Sequence, residues 1–443
     1  MPPASIASQL LGRALTDGQT YARVAELTDR VGPRLSGSAG AAAGVQWALE
    51  RFKADGVKAH LEAVRVPHWV RGVETAELLA SPGYILHPLA VTALGMSPGT
   101  GPDGVTAEVV EVSSLGGLEK LGEQVRGKIV FFNHAMKVAE DYGPAARLRG
   151  QGPAQAAKQG AVGAVIRSLS TASLRTPHTG TTQFGEGAPR VPAAALAVED
   201  AQTLHRALQR GVTRMHLTLG CQLLPDVDSH NVVAEIRGRE KPDEVVVLGA
   251  HLDSWDLATG AEDDAAGVAM VMETAQLLAQ LKPAPRRTVR VVLFMNEENG
   301  LRGGLGYAQA HARELAKHVA ALEADSGGGR PLGITATAGK GAEALLTAWM
   351  KPLETLGSAH VVEGEAGGAD VHPLMAALVP MVGIRQDTSH YFDFHHSAAD
   401  TLDIIRPEEL AASAGAYAWL TYALAEAPTV LPRLEKTAPA EKR

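Results

Sequence analysis

In VVLGAHLDSWDLATGAEDDAAG, residues 246–267, an apolar run ends at His251 and five acids follow within the next thirteen positions. A short, continuous run of Val, Leu, Gly and Ala reads as a strand buried on both faces, the pattern of a parallel sheet in an α/β protein. In such sheets ligands bind beyond the carboxyl ends of the strands. Asp253, Asp256, Glu262, Asp263 and Asp264 fall in that region.

The same pattern recurs downstream. RTVRVVLFMNEENG (287–300) is a strand running into Glu297 and Glu298, and HVAALEADSGG (318–328) is a strand running into Asp325. LVPMVGIRQD (378–387) is a further strand, and SHYFDFHHSAADT (389–401) follows it. Helical periodicity covers Ala265–Leu281, read as amphipathic, then Gly304–His318 and Pro407–Leu424. SHNVVAEIRG and DEVVVLGAH read as neighbouring strands joined by a polar turn. Toward the N-terminus, residues 5–30 and about 44–55 are helical and 57–66 alternate as a strand. GMSPGTGPDG (95–104) is a turn-rich hinge. Beyond it, GKIVFFNH (127–134), PAQAAKQGAVGAVIRS (153–168) and VPAAALAVEDAQTLHRALQRG (191–211) repeat a strand–helix alternation.

Each acid or histidine alone has an ordinary explanation. A strand-end histidine is often only hydrogen-bonded, Glu297–Glu298 can be solvated, and Asp263–Asp264 can cap a helix. Their shared position is what independent surface acids do not explain. Carboxylates brought together repel, and divalent cations remove the penalty. Cys221 is the single cysteine, so neither an internal disulfide nor a Cys-built zinc site is available. Imidazole combined with carboxylate suits zinc better than calcium or magnesium. Two histidines with several acids suit a two-ion site, in which the ions lie ~3.5–4 Å apart and share a carboxylate.

The motifs GAHLDSWD, GAEDDAAG, NEENG, EADSGG and FHHSAADT resemble, in order and spacing, those of the M28 family of zinc metallopeptidases, and within it the carboxypeptidase Q group. The fold this implies is α/β: a mostly parallel mixed central sheet flanked by helices, zinc exopeptidase-like, with an inserted smaller protease-associated β/α domain. The insert's resemblance rests on GKIV, AAKQGAVGAVI and VPAAAL. The expected division is 1–98 and 218–430 for the peptidase domain, 99–217 for the insert and 431–443 for a flexible tail.

The resemblance implies two Zn2+ per chain. His251 and Asp325 would hold one ion, Glu298 and His396 the other, and Asp263 would bridge them. Glu297 would be the general base toward a metal-bridging hydroxide, and the Asp263–Asp264 peptide bond a candidate for cis. Asp253 would orient His251 through its free ring nitrogen, and Asp400 would steady the His396 loop or play a plain turn role. Relatives often carry Tyr just before the last histidine ligand; His395 stands there instead, which leaves His395, Tyr391 and His390 as oxyanion donors. Asp370 would meet a substrate ammonium or cap a loop, and Arg385 would meet a carboxylate or pair with Asp387. The implied substrates are dipeptides or short peptides, cleaved by a dipeptidase, aminopeptidase or carboxypeptidase; the implied assembly is a homodimer. Two alternatives remain: a glutaminyl cyclase-like transferase using one zinc, and a non-catalytic binding protein on a peptidase scaffold.

Composition bounds the rest. A chain of 443 residues suggests two or three units. A net charge of −8 with no Lys/Arg block argues against a nucleic-acid partner. No apolar run approaches ~18 residues, so no membrane span is expected. The first residues lack a leader pattern, so the expected location is cytoplasmic, or secreted or periplasmic with the leader already removed. GTGPDG (99–104) satisfies a dinucleotide motif in letters only, since it opens no helix after a strand, and GITATAGKG misses the P-loop spacing.

Overall fold

The computed structural model describes residues 2–79, 86–362, 364 and 366–435. The apolar runs form a seven-stranded mixed sheet. Its order is Lys58–Val70, Gln222–Ile236, Arg287–Phe294, Lys241–His251, His318–Glu323, Met381–Gln386 and Pro331–Thr337. The four strands from Arg287–Phe294 to Met381–Gln386 are parallel, and the outer pairings are antiparallel. Val246, Leu248, Val289 and Val291 point into a core on one face; Val247, Val292 and Phe294 join Tyr307 and Leu374 on the other. This two-sided burial explains why these strands are continuously apolar rather than alternating.

Several expectations need correction. The strands around Asn231 and Val247 are not neighbours, because Arg287–Phe294 lies between them. A short polar connection favours a hairpin, but parallel pairing of two strongly apolar strands on the sheet's axis takes precedence. The helix Ala266–Ala279 is not amphipathic: it is buried nearly all round, between the sheet and the helices Ala4–Thr16, Thr20–Glu26 and Pro407–Glu426. A helix apolar on every side is a core helix. The helix expected over Gly304–His318 spans Arg302–Ala310, and His318 already starts a strand.

An eight-stranded second sheet has the order His87–Leu89, Glu74–Leu78, Arg214–Leu219, Val105–Val112, Ile129–Phe132, Gly163–Arg167, Ala193–Leu196 and Val91–Ala93. Three of these strands precede residue 99, so the chain leaves the first sheet after Val70 and returns at Gln222, not at 99 and 217. Strands of three to five residues show little periodicity and are defined by distant partners, as Glu74–Leu78 is by Arg214–Leu219. The tail is anchored where it begins: Leu431 is buried, and Arg433 donates to the carbonyls of Leu315, Ala316 and Ala377. Residues 436–443 of the expected tail lie outside the described residues. Among the described residues no helix is long and apolar enough to cross a membrane.

Candidate metal centre and cleft

Three adjacent parallel strands deliver their carboxyl ends to one edge of the sheet. His251 is the last residue of Lys241–His251, Asp325 follows His318–Glu323, and Glu297 and Glu298 follow Arg287–Phe294. Asp263 lies in the turn Ala261–Ala265 that feeds the core helix, and its bond to Asp264 is cis. His395 and His396 follow the short helix Tyr391–Phe394. Asn296 and His396 adopt left-handed backbone, with φ of 75° and 61°. Such conformations cost of order 1 kcal/mol or more and cluster at sites where side-chain placement matters.

The Asp263 carboxylate sits between two imidazoles. Its Oδ1 is 2.9 Å from His251 Nε2, and its Oδ2 is 3.1 Å from His396 Nε2. Asp325 Oδ1 is 3.5 Å from His251 Nε2, and Glu298 Oε2 is 3.0 Å from His396 Nε2. His395 stacks on His396 with ring centroids 3.5 Å apart, and its Nε2 lies 3.5 Å from Asp263 Oδ2. His251, Asp263 and Asp325 form one set of atoms able to hold a cation, and Asp263, His395 and His396 form another.

Burial dominates the charge of these groups. It pushes Glu297 and Glu298 well above the usual carboxylate range, and neighbouring acids add to the effect. Asp325 also rises, through burial and despite His251. Asp263 is the exception: burial opposes its charge, yet hydrogen bonds to His251 and His396 hold it well below the usual range. Burial would discharge His251, but Asp263 and Asp325 hold its pKa well above that of a free imidazole. Burial and the adjacent His396 push His395 well below it. The cluster therefore carries more acid than its own histidines neutralise.

Residues 231–420 match the model of peptidase family M28. Carboxypeptidase Q from Homo sapiens is 38% identical over 94% of this chain and 87% of its own length. The chain belongs to peptidase family M28. A solved peptidase M28 precursor from Shewanella amazonensis SB2B superposes on this M28 peptidase with a TM-score of 0.94, at 39% identity, over 98% of this chain and 99% of its own. An aminopeptidase from Aneurinibacillus sp. strain AM-1 shares the fold at 22% identity, with a TM-score of 0.67 over 97% of this chain and 100% of its own. The chain is accordingly a metal-dependent peptidase.

In the M28 peptidase the cluster opens into a cleft of about 780 Å³. Glu297, Glu298, Asp263, Asp325, Tyr391, His395, His396 and Arg385 line it from one side. Tyr142, Arg149, Phe184 and Arg190, all from the layer of the second sheet, line the other. Arg149 is buried, donates to the Tyr142 hydroxyl at 3.1 Å and lies 3.4 Å from His396 Nδ1. His178, from the same layer, donates Nδ1–H to the His395 carbonyl at 2.6 Å. The sequence reading missed these residues; they carry no motif, and their place depends on how the two layers dock.

Other expected residues have different partners. Asp253 reaches His251 with its backbone: His251 Nδ1 is 3.0 Å from the Asp253 carbonyl and 3.9 Å from its carboxylate. That carboxylate instead accepts the N–H groups of Asn296, Glu297 and Glu298 at 2.7, 3.1 and 3.4 Å. Asp400 braces the Asp263 turn, accepting the N–H groups of Glu262 and Asp263 at 2.7 and 3.2 Å. Asp370 is not on the cleft. It is buried, accepts Gly304 N–H at 3.0 Å, and its own N–H goes to Glu323. Asp387 pairs with Arg330 at 3.4 Å, so Arg385 is not its partner. Asp264 accepts the N–H groups of His251 and of Gly267 at the start of the core helix, in keeping with a capping role, and Glu262 accepts that of Gly328.

Proposed function

We propose that this M28 peptidase is a co-catalytic two-zinc exopeptidase that hydrolyses dipeptides or short peptides. The observation that carries this reading is the Asp263 carboxylate, which offers one oxygen toward each of two histidine nitrogens, at 2.9 and 3.1 Å. His251 and Asp325 would hold one ion, His396 and Glu298 the other, with Asp263 shared. Each histidine nitrogen lies 2.9–3.5 Å from the two carboxylates that would share its ion. Ligands ~2.0–2.1 Å from one tetrahedral zinc lie roughly 3.3 Å apart, and these four spacings suit that geometry. His251 spends its Nδ1–H on the Asp253 carbonyl, which leaves the Nε2 lone pair for a metal. The unrelieved acidity of Glu298 and Asp325 is of the kind that dications remove.

When bound, such an ion pair supplies an acidified water and a Lewis acid for the scissile carbonyl. Glu297 takes one proton from the attacking water and returns it to the leaving amine nitrogen, so the proton count closes. Burial and neighbouring acids hold its pKa up, which suits proton delivery, and the charge of bound cations would favour the ionised form that accepts the proton. Tyr391, kept protonated by burial, and neutral His395 offer uncharged donors to the developing oxyanion. Arg385, exposed in the cleft, would meet a substrate carboxylate. A homodimer belongs to the same reading, tested by light scattering, as does a secreted or periplasmic location, tested by fractionation.

The test is a panel of dipeptides and aminoacyl-anilides, run with and without chelator, beside a metal count. Two zincs per chain and chelator-sensitive dipeptide hydrolysis are expected. Glu297→Gln should keep both ions and lose turnover. One zinc and no hydrolysis would favour the cyclase-like transferase; two zincs and no hydrolysis would favour a binding protein.

A further inference from the structure

The loop between His251 and Asp263 belongs to the metal centre, yet its middle is packed into the other layer. Trp255 sits in the hydrophobic cluster of the second sheet, with Leu35, Trp69, Ala93 and Leu196. A methyl group on Gly95 would collide with the Trp255 ring, so that glycine forms its seat. From this position Trp255 touches two proposed zinc ligands. Its backbone N–H donates to Glu298 Oε1 at 3.1 Å, and its ring stands edge-on to His396 with centroids 5.7 Å apart.

The next residue, Asp256, is gripped by Arg71. Nε lies 3.0 Å from both carboxylate oxygens, and Nη2 lies 2.7 Å from Oδ1. Arg71 immediately follows the strand Lys58–Val70, where the chain passes into the second layer. Its Nη1 is engaged there, with Glu74 at 2.8 Å, Thr92 at 2.6 Å and the Ala93 carbonyl at 3.0 Å. The guanidinium also lies 4.9 Å from the Trp69 ring centroid. A two-toothed, partly buried ion pair fixes geometry as well as charge.

We propose that the inserted layer holds the metal-bearing loop in place through the Arg71–Asp256 clamp and the seated Trp255, which makes these three positioning residues for the ion site of His396 and Glu298. This rests on the two-zinc reading above. It makes the insert part of the centre's construction and not merely a wall of the cleft.

The test uses the full chain carrying Asp256→Asn. Chelator competition on the metal-free protein should show a tenfold or greater loss of zinc affinity at one of the two sites. The unfolding midpoint of the metal-free protein should stay close to the parent's. At limiting zinc, kcat should fall with KM unchanged, and excess zinc should restore it. Arg71→Lys keeps the charge but not the fork, and should lose zinc affinity to a smaller extent; it carries the test if Asp256→Asn does not fold. Unchanged zinc affinity in either folded variant overturns the proposal. So does an equal loss at both sites accompanied by a matching drop in the metal-free midpoint. If the parent protein itself binds one zinc or cleaves no dipeptide, the two-zinc reading fails; the clamp then stands or falls on whether Asp256→Asn weakens the remaining site.

Discussion

Asp253→Asn separates two accounts of a fully buried acid. If the side chain oriented His251, the ion held by His251 and Asp325 would be lost first. The hydrogen bonds point elsewhere. Asn296 and Glu297 N–H both donate to Oδ1, at 2.7 and 3.1 Å, and Glu298 N–H donates to Oδ2 at 3.4 Å. An asparagine with its oxygen at the Oδ1 position keeps the first two bonds but makes them neutral, at a cost of roughly 1 kcal/mol together. Its amide group then faces the Glu298 N–H, leaving a buried donor unmatched at about 1–3 kcal/mol. The sum, about 2–4 kcal/mol, falls on the segment that carries the proposed base and one zinc ligand. Misplacing a reacting group by about 1 Å costs up to ~10²-fold in rate. The expected result is a kcat lowered about a hundredfold, a KM within a few-fold of the parent's, and weaker zinc binding at the Glu298 site. The His251 site should persist, because the Asp253 backbone carbonyl remains in place. Steady-state dipeptide hydrolysis and a zinc count after dialysis measure both. Parental kcat, or selective loss of the His251 ion, would refute the reasoning.

Glu298→Ala should lower the zinc count from two to one, whereas His395→Ala should keep both ions and lower kcat by roughly 10²-fold as an oxyanion donor is lost; the opposite pattern would make His395 the ligand. Arg34 is buried and donates to the carbonyls of Gly32, Leu252, Thr259 and Gly260 at 2.6–3.1 Å, and burial lowers its pKa only to about 10, so it stays charged at neutral pH. Arg34→Met should destabilise the metal-free chain by about 3–5 kcal/mol in denaturant titration, since it strips donors from buried carbonyls; a loss under about 1 kcal/mol would contradict that. His318 is buried, accepts from the Tyr307 hydroxyl at 2.9 Å, and burial lowers its pKa to about 4. The folded form therefore binds fewer protons than the unfolded one below pH ~6.5, so its contribution is complete above that pH and is lost as pH falls toward 4. The stability of the parent minus that of His318→Gln should shrink by up to about 3 kcal/mol across that window; a pH-independent difference would refute it.

The strands that carry the proposed metal donors were legible because their chemistry is local. A buried parallel strand must be continuously apolar, so a His or acid just after it stands out against Val and Leu. That is why His251, Glu297, Glu298 and Asp325 could be read from their positions, and why their spacing resembled a known family. Where pairing is long-range, the reading failed. The three short strands Glu74–Leu78, His87–Leu89 and Val91–Ala93 are too brief to announce themselves, and the second layer consequently began too late. The roles given to Asp253 and Asp370 came from the resemblance of their motifs to a family. Their real partners, the 296–298 backbone and Gly304, come from other elements.

Local composition along the chain determined the α/β class, the strand-end placement of acids and imidazoles, and the restriction of any metal to nitrogen and oxygen ligands. Tertiary structure alone decided that one carboxylate lies between His251 and His396, that Arg149 and His178 from the second layer back the two cleft histidines, and that Arg71 reaches Asp256. The physical reason is range: burial and periodicity are properties of a few consecutive residues, whereas hydrogen bonds between layers depend on packing between segments up to some 250 positions apart.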